Sequence, residues 1–188
     1  MPNMTMHEKA DRHIVPAQLI CFIITFAAGI VSGFFRPPYI IKIHETFFAT
    51  GAILLAIKLA REGWDMAAAG YTIFAIGWGV LFAGVDFYGE DVGDHIMSSS
   101  GYFFFPSFIL IAFYQPFPKW IKIFTLWCAI PFTVNLVLFN INHDNRGLGL
   151  WAAIGFGSYH LLSLYWGIFF YRQHKKIKKA QPNNSGNN

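Results

Sequence analysis

Apolar residues fall along this chain in six long runs, separated by short polar or Gly- and Pro-containing stretches. The runs cover roughly Val15–Phe35, Tyr39–Leu59, Met66–Phe87, His95–Phe113, Trp120–Asn140 and Leu148–Tyr171. Each is close to the ~20 residues a helix needs to cross a ~30 Å hydrocarbon layer. The separators carry the punctuation: Arg36-Pro37-Pro38, Arg61-Glu62-Gly63, Gly89 to Asp94, Gln115-Pro116 and Asn142 to Gly147. The pattern predicts an all-α, polytopic membrane helix bundle of about six transmembrane helices. Residues 1–13 form an N-terminal cytoplasmic segment, 14–172 the transmembrane domain, and 173–188 a basic and then polar, disordered tail. The first run exceeds the ~7–15-residue core of a signal peptide, and five more follow it, so it is expected to be a retained span.

Composition supports this picture. Hydrophobic residues make up 55% and charged residues 13% of the chain, well under the ~25% charged of a soluble domain. The basic balance, pI 9.1, does not indicate nucleic acid, because the cations cluster beside apolar runs. With the N-terminus inside, the cytoplasmic side collects Lys9, Arg12, Lys58, Arg61, Lys119, Lys122, Arg172, Lys175, Lys176, Lys178 and Lys179, against only Arg36, Lys42 and Arg146 outside. That asymmetry predicts both termini in the cytoplasm and a multi-pass protein of the plasma membrane, the inner membrane in a bacterium. Cys21 and Cys128 both lie in apolar runs, so a disulfide framework is not expected.

Small residues mark faces where membrane helices approach. Such stripes run through Gln18, Cys21, Thr25, Ala28 and Ser32; Glu45, Ala49, Ala52 and Ala56; Thr72, Ala75, Gly79, Ala83 and Asp86; and Ala153, Gly157, His160, Ser163 and Gly167. Most of these residues are expected only to pack. Glu45 and Asp86 differ, being carboxylates on supposedly packed faces, and such groups point to function. Near them in depth come Lys42, His44, Glu90, Asp91, Asp94, His95, His143 and Asp144. Imidazole with carboxylate suits a divalent metal ion, with Glu45, Asp86 and His95 as ligands, or a proton relay. No metal-ligand spacing on one helix supports the metal, and an acidic loop is commonly just solvated. The fourth span opens with His95 followed by Ser98, Ser99 and Ser100, a face from which a serine hydrolase can be imagined. Serine in a helix more commonly bonds back to the preceding turn.

His160 is expected near the bilayer midplane. It either bonds to a neighbouring helix, through Asn135 or Gln18, or serves as a proton-relay group, substrate contact or haem ligand. A haem usually takes a second axial ligand, and no other histidine is expected at that depth.

Residues Gly84 to Phe113 resemble a segment of an uncharacterised bacterial family of six-helix membrane proteins, related to the eukaryotic Frag/DRAM/Sfk group. The resemblance rests on Gly84 and Asp86 closing one helix, His95 opening the next, and Phe103 to Pro106 following. Asn145-Arg146-Gly147-Leu148 before the last helix is similar too. Val85 stands where that family usually has Pro. The resemblance implies a fold and topology, and no activity.

Three function classes follow. A small transporter or channel for a solute, ion or proton would use Glu45, Asp86 and His160 as a path; its thin wall predicts a homo-oligomer. A non-catalytic accessory or lipid-associated protein would use the same residues to lock the bundle. A metal-dependent or serine hydrolase at the outer surface comes third. The lipid bilayer is the expected partner in all three.

Overall fold

The computed structural model describes residues 6–35, 38–87, 91–142 and 150–180. Every regular element among them is helical: α1 (Met6–Phe35), α2 (Pro38–Arg61), α3 (Asp65–Val85), α4 (Asp91–Ser99), α5 (Gly101–Ala112), α6 (Lys119–Asn142) and α7 (Leu150–Ala180). Four stretches are long and apolar enough to cross a membrane by length and composition: Arg12–Ser32, Pro38–Arg61, Asp65–Val85 and Lys119–Leu138. The expected fourth span is instead two helices. The ladder breaks at Ser100-Gly101, and Ser/Gly pairs are common places for a helix to kink. The last helix does not stop at Tyr171 but continues through the basic segment to Ala180. The polar tail beyond lies outside the described residues.

Local chemistry sets the ends. α2 starts on Pro38, where a missing N–H costs nothing. It stops at Gly63, whose φ of 77° is left-handed. There Trp64 N–H donates to Leu59 C=O at 2.9 Å and Gly63 N–H to Ala60 C=O at 3.2 Å. This crossed pair closes a helix that ends on a left-handed residue. It turns the chain tightly into α3.

The helices stand in a ring. Each packs on its neighbours in sequence, with α3 against α5, and α7 closes on α1. The centre is filled by rings: Phe48, Tyr71, Phe74, Trp78, Phe104, Phe108, Tyr159 and Trp166 are all at most 1% exposed. Phe48 stacks on Trp78 at 4.6 Å, Phe74 meets Phe104 at 5.5 Å, and Phe104 meets Phe132 at 4.8 Å. Edge-to-face and offset contacts of this kind add about 0.5–1.5 kcal/mol each beyond area burial. The outside carries Ile20, Ile23, Ile30, Ile53, Ile76, Leu126 and Ile130, all exposed, a surface suited to lipid.

The small-residue faces hold for α1 and α2, where Gln18, Cys21, Thr25, Glu45, Ala52 and Ala56 are buried. They fail for α3. Thr72, Gly79, Ala83 and Asp86 face outward, because Tyr71, Phe74, Trp78 and Leu81 turn inward to fill the ring. On α7 the split is even: Ala153 and Gly157 are exposed, Ser163 and Gly167 buried.

At the end of the bundle that holds Lys58, Lys119 and Lys176, Trp64, Tyr114, Phe117, Phe169 and Phe170 pack together. Burial pushes the Tyr114 phenol up to about 12, so it keeps its proton and donates to Gln173 Oε1 at 3.3 Å.

Glycines set the spacing of the wall. A Cβ on Gly70 would stand 2.8 Å from the Ile111 backbone nitrogen, whereas one on Gly79 would meet nothing within 4 Å. Gly70→Ala should therefore cost about 1–3 kcal/mol, the usual penalty of overpacking. Gly79→Ala should be neutral or raise stability through helix propensity. Thermal melts of the two purified variants check this; equal melting points would mean that α3 and α5 do not touch at Gly70.

Candidate functional site

The polar residues of the ring concentrate toward the end that holds Lys42 and Asp86. Lys42 on α2 forms an ion pair with Asp86, the residue after α3, and its Nζ lies 5.2 Å from the centre of the Phe82 ring. The Asp86 side chain is 60% exposed. Asp86 therefore does not sit on a packed face, and its partner explains its charge. One turn along α2 from Lys42, Glu45 is 4% exposed. Its Oε2 has no hydrogen-bond partner among the described residues. An unpaired buried carboxylate oxygen is costly, and Glu45 is the site's most unusual carboxylate.

Beside Glu45, His44 reaches across α1 to His160 on α7. The two Nε2 atoms are 2.5 Å apart and the ring centres 4.6 Å. His160 Nδ1 bonds the backbone carbonyl of Phe156. A carbonyl only accepts, so Nδ1 carries a proton and Nε2 is free to accept. His44 Nε2–H is then the donor across the pair, a tautomer assigned from the network. The chain reads His44 Nε2–H to His160 Nε2, then His160 Nδ1–H to Phe156 C=O. It is complete with one proton on each ring.

Three elements make room for this pair. A Cβ on Gly29 of α1 would collide with His160 Nε2 and Cδ2, so the imidazoles can meet only because α1 has no side chain there. The His44 ring packs on Trp78 at 5.3 Å and Phe48 at 5.9 Å, and His160 stacks on Tyr159 at 4.6 Å. The pair thus ends the central column of rings. Thr25 Oγ1 donates to the His44 carbonyl at 3.5 Å.

Sequence reasoning placed His160 alone at its depth and missed His44 as its partner. Gln18, the expected neighbour, bonds the Gly167 carbonyl instead, at 3.3 Å. A signal was available: His44, Phe48, Ala52, Leu55 and Leu59 recur every three or four residues. This puts His44 on the inward face of α2.

The spacing of the pair decides what it can hold. Two imidazoles on one tetrahedral ion, with metal–nitrogen bonds of about 2.0–2.1 Å, hold their nitrogens roughly 3 Å or more apart. Two axial imidazoles on a haem iron stand still farther apart, about 4 Å. The observed contact is that of a hydrogen bond. Among the described residues no three His, Cys, Asp or Glu side chains come together to hold a metal ion. Glu45, Asp86 and His95 thus do not form such a group, and His95 lies exposed on α4. The Asp91 and Asp94 side chains and Glu90, His143 and Asp144 lie outside the described residues. Ser99 Oγ donates to the Ile96 carbonyl at 2.6 Å, the local bond that competes with a role as nucleophile.

If Gly29 is there for the imidazole pair, Gly29→Ala should cost about 1–3 kcal/mol in the native chain. In a His160→Ala background its cost should fall near zero, because the new methyl fills vacated space. A double-mutant cycle on thermal or denaturant unfolding reads this coupling. Equal costs in both backgrounds would mean that Gly29 does not serve the pair.

No protein-family model matches the chain, and no curated protein or solved structure matches it. The chemistry of these side chains is therefore what bears on function.

Proposed function

We propose that this chain is a six-span membrane protein with both termini in the cytoplasm, and that its interior imidazole pair handles protons. Several observations support six crossings. α4 and α5 together run from 91 to 112, which at ~1.5 Å per residue is ~33 Å, enough for one span. α7 has 31 residues, so its apolar part crosses and its basic turns project beyond. The ring has six positions filled in sequence order, as short connections require. The inward excess of Lys and Arg orients the whole.

The observation that carries the proton reading is the contact between His44 and His160 inside a packed bundle. A proton arriving at His44 Nδ1 releases the Nε2 proton to His160 Nε2, and the charge moves to His160. The Phe156 carbonyl steadies that charged ring but cannot take a proton from it. Release therefore requires the His160 ring to turn, which makes the step a gate. Glu45, with a buried oxygen to spare, is the nearby acid, and Asp86 with Lys42 forms the rim. Further along the core, the Tyr159 and Tyr71 hydroxyls and Gln18 Oε1 also have no partner among the described residues. Buried polar atoms like these are the usual anchors of internal water, which would extend the path.

The second reading is an accessory or lipid-associated protein whose polar residues only lock the ring. The aromatic filling of the centre favours it.

Topology is tested by single cysteines in a Cys21→Ala, Cys128→Ala background, treated with an impermeant thiol reagent on intact cells. Tyr39→Cys and Phe87→Cys should react, and Arg61→Cys and Lys119→Cys should not. Labelling of Lys119→Cys from outside would overturn the six-span arrangement.

Function is tested by proton flux into liposomes holding the purified protein. Wild type should conduct, and His160→Gln and His44→Gln should each lose most of the flux while still melting cooperatively, since glutamine bonds but does not titrate. Equal flux in wild type and both variants would leave the pair as a structural lock.

A further inference from the structure

At the opposite end from the imidazole pair, an open cavity of about 590 Å³ lies between the start of α6, the α5–α6 connection and the last turns of α7. One stripe of α7 forms its floor: Tyr165, Phe169, Arg172, Gln173 and Lys176, at spacings of one helical turn or less. Trp120 of α6 forms the facing wall and meets the Tyr165 ring edge-on at 5.1 Å. Trp120 and Tyr165 are 51% and 44% exposed. Two large rings thus stand open on a flank where the bundle supplies no further partner.

The lining changes character along its length. The Tyr165 end is apolar and aromatic, and the Lys176 end is cationic. Tyr165 to Lys176 spans ~16 Å of helix, comparable to the distance from the upper part of an acyl chain to its headgroup phosphate. Among the described residues, no acidic one lines the cavity. The nearest carboxylate of the α2–α3 turn, Glu62, is already paired with Lys58. Gln173 is held by the Tyr114 hydroxyl, which fixes the rim between the two cations. Aromatic rings at the interface and cations just beyond it, with no acid among the described lining residues, match an anionic lipid, and basic pockets between helices bind such headgroups.

We propose that this cavity binds one anionic phospholipid of the adjoining leaflet, its phosphate between Arg172 and Lys176 and its chain along Phe169 and Tyr165 against Trp120. The proposal rests on the membrane placement of the chain and on no part of the proton reading. Loss of proton flux would leave it standing.

The test is native mass spectrometry of the full chain in detergent, titrated with phosphatidylglycerol, with phosphatidylcholine of the same acyl chains, and with inorganic phosphate as competitor. Phosphatidylglycerol should be retained as a single preferred adduct over phosphatidylcholine. A basic residue at an anionic headgroup gives about a fivefold preference, so Arg172→Gln with Lys176→Gln should weaken that adduct roughly twentyfold. Lys175→Gln with Lys178→Gln, equally basic and on the same helix, should change it less than twofold. Tyr165→Ala should weaken it several-fold by removing the chain contact. All of these side chains are exposed or near the surface, and a thermal melt of each variant checks its fold. Equal losses from the two charge pairs would show a diffuse field instead of a site. Equal retention of both lipids, or full displacement by inorganic phosphate, would likewise overturn the proposal.

Discussion

Six helices arranged in a ring at ~8–10 Å spacing leave a central space too wide for small side chains to close. Everything else in this fold follows from how that space is filled. For helices set in lipid there would be no hydrophobic gain from association, and packing itself would have to hold them. Phe48, Phe74, Trp78, Phe104, Phe108, Tyr159 and Trp166 supply it as one connected column of rings. Bulk at the centre then demands economy at the seams. Gly51 lies against Phe22, Gly77 against Phe104 and Gly167 against Leu19 and Phe22, each close enough that a methyl would crowd its neighbour. Large residues inside and glycines between helices are two halves of one solution.

The column also determines where polar chemistry can sit. Aromatic rings fill the middle, so ionisable groups are displaced toward the ends of the ring. The imidazoles of His44 and His160 are admitted because they are flat and pack like the rings beneath them, His160 stacked on Tyr159 and His44 edge-on to Trp78. Gly29 then supplies the missing width on α1. The pair is therefore a product of the packing, and its hydrogen-bonding direction is set by one backbone carbonyl, that of Phe156.

Much of this was legible in the sequence. Run lengths and turn residues place most helix ends to within a few residues, but α1 begins at Met6, well before Val15, and α7 runs on to Ala180, well past Tyr171. The small faces of α1 and α2 are largely buried. On α3 the small-residue stripe, Ala75 apart, does not mark the inward face, because in a wide ring that mark is an aromatic stripe. Tyr71, Phe74, Trp78 and Leu81 recur at helical spacing and carry that signal. The split of the fourth span had its sign in Ser100-Gly101. The contact between His44 and His160 had no local sign. They are 116 positions apart, and their meeting depends on the tilt and order of three helices, which hydropathy does not encode. Asp86 looked buried by its stripe, and the structure gives it Lys42 at the surface instead.

The distribution of unmet polar groups bears on why the interior is not simply apolar. Residues retained only to lock a bundle are expected to satisfy one another, since a buried donor or acceptor left unpaired costs about 1–3 kcal/mol. Lys42 with Asp86, Lys58 with Glu62 and His44 with His160 follow that rule. Glu45 Oε2, Gln18 Oε1 and the Tyr71 and Tyr159 hydroxyls find no partner among the described residues. Phenylalanine at positions 71 and 159 would fill the same space without the cost, and the sequence has phenylalanine in abundance, with 21 in 188 residues. Tyrosine at these two buried positions is therefore not accounted for by packing alone, and neither are the unmet oxygens of Glu45 and Gln18.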